Sequence, residues 1–332
     1  MITDIEKGTR DKRGYWWPNK KLSYGPVIIW PPQPKAFLKW LLFYPGYIFP
    51  WNFLYTILAV LVWFYATPSV ETMKTFSLNW ISLVFLRNII LTIVVYGLWH
   101  FWLYTRKSQN TEFKYNKRWP AVKTKSFLFN NQTIDNMIWT LCSGVPVWTF
   151  YESICLWAYS SGLVPWVNLL NNPYWIIFLL FLNPFIHEIH FYFAHRLTHV
   201  RFMYKWVHYL HHKNTNPGPW SGLAMHPVEH FVYFTGMFIY LIIPSHPINM
   251  LAISMREGLA PSQGHTGFDK IVVSDKTTVD ISVFNHYLHH KYFECNYSDG
   301  TIPLDKWFGS FHDGSEKATL AMKKRALTFH IP

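Results

Sequence analysis

The sequence predicts an all-α integral membrane protein. About four transmembrane helices and a re-entrant or interfacial helical hairpin are expected, capped by a cytosolic histidine-rich helical domain. Three observations carry this reading. Half of the 332 residues are apolar, a fifth are aromatic and only 14% are charged, against roughly 25% charged in soluble domains. Eighteen tryptophans and twenty tyrosines suit the membrane–water interface, which both residues favour. Uncharged stretches long enough to cross roughly 30 Å of hydrocarbon recur along the first half of the chain.

The elements follow in order. Residues 1–36 read as a basic N-terminal cytosolic segment ending in "WPPQP", an extended turn. It holds no short apolar run before a cleavage site, so no cleaved signal peptide is expected. No charged side chain lies between Trp40 and Val70, and "NFLYTILAVLVWFYA" (52–66) with its flanks forms a first span. A second span runs from about Trp80 to Thr105, with Arg87 expected to snorkel toward the headgroups. The loop 106–125 carries seven Lys/Arg against Glu112 alone. A third span, Ile134 to Tyr159, encloses Glu152, and a fourth starts near Tyr174, so the four occupy residues 37–192.

The turn between spans three and four, "SSGLVPWVNLLNNP", has no charge. Placing the basic loop inside and this turn outside follows the positive-inside rule. Both chain ends then lie in the cytosol, beneath an endoplasmic reticulum or bacterial inner membrane. The apolar stretch "FVYFTGMFIYLIIPSHPINMLAISM" is broken by Pro244 and Pro247, and neither half reaches the roughly 20 residues of a spanning helix. Residues 231–260 are therefore expected to fold as a kinked hairpin that returns to its starting side, leaving 261–332 as a cytosolic cap.

A formal charge of +12 fits anionic headgroups or an acidic partner. The basic residues sit in loops beside apolar segments, which argues against a nucleic-acid partner. Three scattered cysteines (Cys142, Cys155, Cys295) make neither a disulfide framework nor a Cys-based zinc site.

The chemistry lies in the histidines. His195 and His199 are four apart; His208, His211 and His212 form His-x-x-His-His; His286, His289 and His290 repeat it. His226 stands in "MHPVEH" and His265 in "GHTGF". On a helix, residues four apart lie about 40° apart around the axis and residues three apart about 60°, so each cluster aims its imidazoles at one place. Imidazole suits iron, copper, zinc and nickel, and eight imidazoles exceed what one ion uses, so two ions are expected. Packing them without a shared cation costs free energy. The isolated His100, His246, His312 and His330 read instead as polar tips at an interface. A haem site needs one or two axial ligands, which adjacent His211 and His212 supply poorly. A non-redox membrane metal-binding or transport protein and a zinc-dependent membrane hydrolase remain open from the residues alone.

Further motifs surround the histidines. "EIHFYFAHR" (188–196) resembles the acidic-x-x-x-Tyr-x-x-His-Arg approach to the first histidine box of the fatty acid hydroxylase superfamily, the membrane di-iron enzymes that include sterol desaturases and methylsterol oxidases. "AMHPVE" is similar to its His-Pro-x-Glu, and "GHTGF" to its His-Ser-Gly-Tyr. "HHKYFECNYSDGTIPLDKWFGS" resembles its ending, with Leu304 where tryptophan is usual. The extra His187 and His190 before the first box depart from that pattern. The resemblance covers about residues 180–312, including the two boxes within 187–230.

It implies two irons, for which zinc substitutes in purified protein, O2 as co-substrate, and hydroxylation or desaturation of an unactivated C–H bond in a sterol or fatty acyl lipid. The expected ligands are His195, His199, His208, His211, His212, His286, His289 and His290, with His265 a ninth and His226 a tenth. Glu188 and Glu229 are expected to accept from imidazole N–H groups, and Asn296 and Tyr297 to support the third box. Arg196, Arg201, Lys205 and Lys213 are expected to dock an acidic electron donor such as cytochrome b5 or ferredoxin with its reductase, or else to contact headgroups.

Overall fold

The structure, a computed structural model, describes residues 4–329, with side chains through 324; His330 lies outside them. Three helices among the described residues are long and apolar enough to cross a membrane: α2 (Ile48–Tyr65), α3 (Leu78–Thr105) and α5 (Pro173–Thr198). A short amphipathic helix, α1 (Pro34–Leu42), starts on Pro34 in the first turn, where a missing N–H costs nothing. The shortest of the three, α2, has 18 residues, about 27 Å of helix, close to the hydrocarbon thickness.

The segment expected as a third span is also helical. It forms α4 (132–160), with Asn131 accepting from the N–H groups of Thr133 and Ile134 at its start, and Gly162 at φ +78° just beyond its end. That left-handed residue is the ordinary helix stop. Yet α4 is not among the helices whose length and composition suit a membrane crossing, and most of Val145–Ser160 is buried by other elements. Its Glu152 explains part of the difference. Arg87 on α3 does not snorkel. Its guanidinium pairs with Glu152 and also donates to Asn88 Oδ1 at 2.9 Å and Ala66 O at 3.2 Å. Ser254 Oγ donates to the other Glu152 oxygen at 2.8 Å. The charges of the two expected spans are thus satisfied internally, joining α3, α4 and a later helix.

Residues 227–264 form two helical arms. The first, α7 (Pro227–Tyr233), runs on as a 3-10 helix, Phe234–Leu241; the second is α8 (Pro247–Gly264). His246 caps α8, its side chain accepting from Ile248 N–H, and Pro247 takes the first turn. The arms run back along each other, with Tyr233 Oη donating to Glu257 O at 3.1 Å. Gly258 lets α8 close on α4, because a Cβ there would lie 2.6 Å from the Trp148 ring, a clash no alanine tolerates.

Outside this bundle the chain is not purely α. Two antiparallel hairpins are present, β1 (Gly8–Arg10) with β2 (Trp16–Pro18), and β3 (Lys270–Ser274) with β4 (Thr277–Asp280). "KIVVSDKTTVD" carries the β-branched runs around a polar turn that signal the second hairpin. Nor is the basic N-terminal segment detached. Trp16 is buried against Phe113 and Tyr115 of the 106–125 loop. Lys114 of that loop is buried too. Its Nζ donates to Asn116 O at 2.8 Å, and burial lowers its pKa to about 7. This second core also packs α9 (Phe284–Tyr292), the third-box helix.

The Arg87–Glu152 pair generates a stability prediction. Glu152→Ala leaves a buried guanidinium without its carboxylate, which costs about 3–5 kcal/mol. Arg87→Leu combined with Glu152→Leu is expected to recover most of that loss. Denaturant or thermal unfolding of the three detergent-solubilised chains measures both.

Candidate metal centre

Four elements bring the histidines together. His195 lies in the last turn of α5 and His199 follows its final residue, Thr198. The next helix, α6 (201–212), includes a π-helical turn at Tyr204–His208, a local widening frequent at functional sites. It carries His208, His211 and His212. His265 follows α8, and α9 carries His286, His289 and His290.

These nine histidines fall into two groups, each with its ligand nitrogens within 4.8 Å of one another: His195, His199, His208, His212 and His289 in one, and His211, His265, His286 and His290 in the other. Each His-x-x-His-His box is therefore divided. His208 and His212 enter the first group while His211 turns to the second. His286 and His290 enter the second while His289 turns to the first. Helix geometry accounts for this. Taking the first histidine as zero, the fourth position lies about 60° to one side and the fifth about 40° to the other. The i, i+4 pair meets at one point, and the i+3 residue, on the far side of the first histidine in angle, aims at the neighbouring group.

In both groups Nε2 atoms face each other. His208 and His212 approach His199 to 3.0 and 3.2 Å, and His289 approaches His212 to 3.0 Å. His286, His290 and His211 approach His265 to 2.9, 3.0 and 3.2 Å. Two nitrogens each about 2.1 Å from a common ion, at a right angle, lie about 3.0 Å apart. The far side of the rings sets the tautomer. His195 Nδ1 donates to Tyr297 O at 2.9 Å, His289 Nδ1 to Cys295 O at 2.7 Å, and His265 Nδ1 to Pro261 O at 2.8 Å. His208 Nδ1 donates to Glu229 Oε1 at 2.6 Å. A ring that donates through Nδ1 leaves Nε2 as a bare lone pair. Burial, with neighbouring imidazoles, pushes the pKa values of His199, His208, His212, His286, His289 and His290 well below the usual range, and that of His265 to about 4. Neutral, converging lone pairs of this kind fit a transition-metal ion.

The other expected site residues have different positions. His226 stands outside both groups. Its Nδ1 accepts from Val228 N–H at 3.2 Å and so caps α7. Glu188 receives no imidazole N–H among the described residues. Its oxygens accept from the backbone N–H groups of Gly300, Thr301 and Ile302 at 2.8–2.9 Å, tying α5 to the loop after the third box. Asn296, at φ +54°, exchanges hydrogen bonds with His312, which is buried rather than interfacial. Tyr297 contributes its carbonyl, as above, and a ring centred 4.9 Å from that of His199. Arg201 and Lys205 are exposed. Arg196 lies over the Tyr192, Tyr297 and Phe308 rings, and Lys213 is occupied in an ion pair with Asp135 at 2.8 Å.

Sequence reasoning passed over Asp305, although it stands in the quoted "LDKWFGS". Its buried carboxylate accepts from the N–H groups of Tyr297 and Ser298 and from both serine hydroxyls, Ser298 and Ser310, at 2.7–2.9 Å. It holds the turn whose carbonyls orient His289 and His195.

Helices long and apolar enough to cross a membrane are thus joined to a two-part histidine cluster suited to metal ions. Comparison with known sequences finds relatives for this part of the chain. Residues 176–310 match the family described as Fatty acid hydroxylase. It is 32% identical over 139 residues to a Delta(7)-sterol 5(6)-desaturase of Gibberella zeae, covering 41% of this chain and 42% of the relative. It is 30% identical to human lathosterol oxidase, over 42% of this chain and 45% of the relative. It is also 30% identical to rat methylsterol monooxygenase 1, over 40% of this chain and 47% of the relative. The matches thus span about half or less of these relatives. No solved structure matches the chain.

Asp305→Asn is expected to loosen the carbonyl turn and lower metal affinity about 10–100-fold, the usual effect of removing an outer hydrogen-bond partner, with the helix content retained. Metal competition titrations beside circular dichroism of the two chains check this.

Proposed function

We propose that the chain is an O2-dependent membrane oxidoreductase that hydroxylates or desaturates an unactivated C–H position of a lipid, with one iron held by each histidine group. The observation that carries the reading is the cavity beside the centre. It has a volume of about 230 Å³, and its wall combines His195, His208, His211, His265 and His286 with apolar Phe191, Met225 and Val232. Both groups therefore face one space with room for part of a lipid. The names of the relatives, sterol desaturases and sterol oxidases, point to a sterol as the first lipid to test.

Iron with O2 and external electrons supplies an oxidant that no side chain provides. The protein does the rest. His195, His199, His208, His212 and His289 form one all-nitrogen ligand set, and His211, His265, His286 and His290 the other. Glu229 and the carbonyls of Tyr297, Cys295 and Pro261 hold four of the rings with Nε2 turned inward. The apolar wall excludes water and presses the hydrocarbon against the centre. Exposed Arg201 and Lys205, beside Arg196, form the basic rim for an acidic donor such as cytochrome b5 or ferredoxin; Lys213, already paired, is not part of that rim. With α2, α3 and α5 in the bilayer and α4 crossing among them, buried by its neighbours, four crossings return the chain to its starting side and the centre lies at the cytosolic exit of α5.

The test is lipid profiling of a host with and without the gene, under oxygen. A lipid heavier by one oxygen atom, or lighter by two hydrogens, is expected with the wild type and lost with His289→Ala. No such species in an iron-replete host, or one that persists in the variant, contradicts the proposal.

A further inference from the structure

The cavity has a second polar region that the metal groups do not use. On α5, His187, Phe191 and His195 follow at four-residue intervals and stack, with ring centroids 5.6 and 4.9 Å apart. Eight residues of helix set His187 about 12 Å from His195 along the axis. His187 stands between two carboxylates, with Nδ1 3.5 Å from Glu257 Oε1 and Nε2 3.5 Å from Asp299 Oδ2. Arg256 closes the cluster, donating to Asp299 Oδ2 at 3.0 Å and to Asn52 Oδ1 at 2.5 Å. His187, Arg256, Asp299 and Asn52 line the same cavity as His195.

The cluster's hydrogen bonding is incomplete. Glu257 is fully buried, yet neither of its carboxylate oxygens has a hydrogen-bond partner among the described residues, and nor does the buried Nε of Arg256. Buried polar atoms are normally satisfied, so such a set points to a group not supplied by the chain. Unmet acceptors beside an unmet donor suit a group that both donates and accepts, as a hydroxyl does. The charges narrow the choice further. Two carboxylates face one guanidinium and one imidazole, so a carboxylate or phosphate headgroup would meet like charge.

We infer that His187, Arg256 and Asp299, which line the cavity, with buried Glu257 behind His187, form a subsite for the free hydroxyl of an uncharged lipid alcohol. The carbon presented to the histidine groups is then set by its distance from that hydroxyl. This inference rests on the lipid-oxidoreductase reading above, but it concerns binding, which needs neither oxygen nor electrons.

The experiment measures equilibrium binding of radiolabelled lipids to the full metal-loaded chain in detergent micelles. The probes are a Δ7-sterol with a free 3-hydroxyl and its methyl ether, and a long-chain primary alcohol with its methyl ether and the matching fatty acid. At least one alcohol is expected to bind about tenfold or more tighter than its ether, the worth of a hydrogen bond to a charged group, and the fatty acid to bind more weakly than the alcohol. His187→Phe and Asp299→Asn are expected to reduce the alcohol to the level of the ether at unchanged metal content. Should His187→Phe lose metal, Asp299→Asn decides, since Asp299 is one-third exposed. Ethers that bind as well as alcohols, a fatty acid that binds tightest, no binding by any probe, or a preference surviving both variants overturns the subsite. An alcohol preference without any oxygen-dependent product leaves the subsite standing and removes the oxidoreductase reading instead.

Discussion

Imidazole lone pairs that face one another in a low-dielectric interior are the constraint on which this structure turns. Seven of the nine grouped histidines are buried, and water does not reach their inner nitrogens in numbers that would satisfy them. Protonation offers no relief, because each added charge would be desolvated and would face its neighbours. A shared cation resolves both problems, and its binding free energy then becomes folding free energy. The carbonyls of Pro261, Cys295 and Tyr297, the Glu229 carboxylate and the Asp305 hub all serve that arrangement by fixing which nitrogen turns inward.

Helical angles divide the histidines between two groups. A His-x-x-His-His box cannot direct all three rings to one point without crowding, so each box lends two rings to one group and one ring to the other. The helical arms of α7 and α8 contribute the remaining piece. They leave the second box, double back at the prolines and deliver His265 to the centre. The Gly258–Trp148 contact and the Glu152 network fasten α8 to the bundle, so the ninth histidine is placed by packing far from the site.

Much of the site was legible in the sequence because ligand spacing is local. Eight boxed histidines and His265 have the spacing or the motif of ligands, and the structure gathers those nine. Their division between two groups was not legible, because it depends on how α5, α6 and α9 approach one another. His226 and Glu188 read as site residues for their motifs, but His226 caps the helix that follows it and a long-range contact makes Glu188 a loop anchor. The fold was legible in its apolar helices and its proline-broken arms. It was not legible in Arg87, whose partner lies 65 residues away, nor in the N-terminal segment, whose Trp16 finds its core only when the 106–125 loop folds over it. The β3–β4 hairpin did carry a local signal, overshadowed by the helical character of its surroundings.

The central claim is that the divided boxes hold two ions. Iron content per chain tests it most directly, on protein expressed with iron supplied and purified without oxygen, since other divalent ions compete for imidazole. The account predicts two irons per chain in the wild type, one iron when His286 and His290 are both changed to alanine, and one when His199 and His212 are. A wild-type chain that saturates at a single iron, or double variants that each lose both ions together, would contradict it.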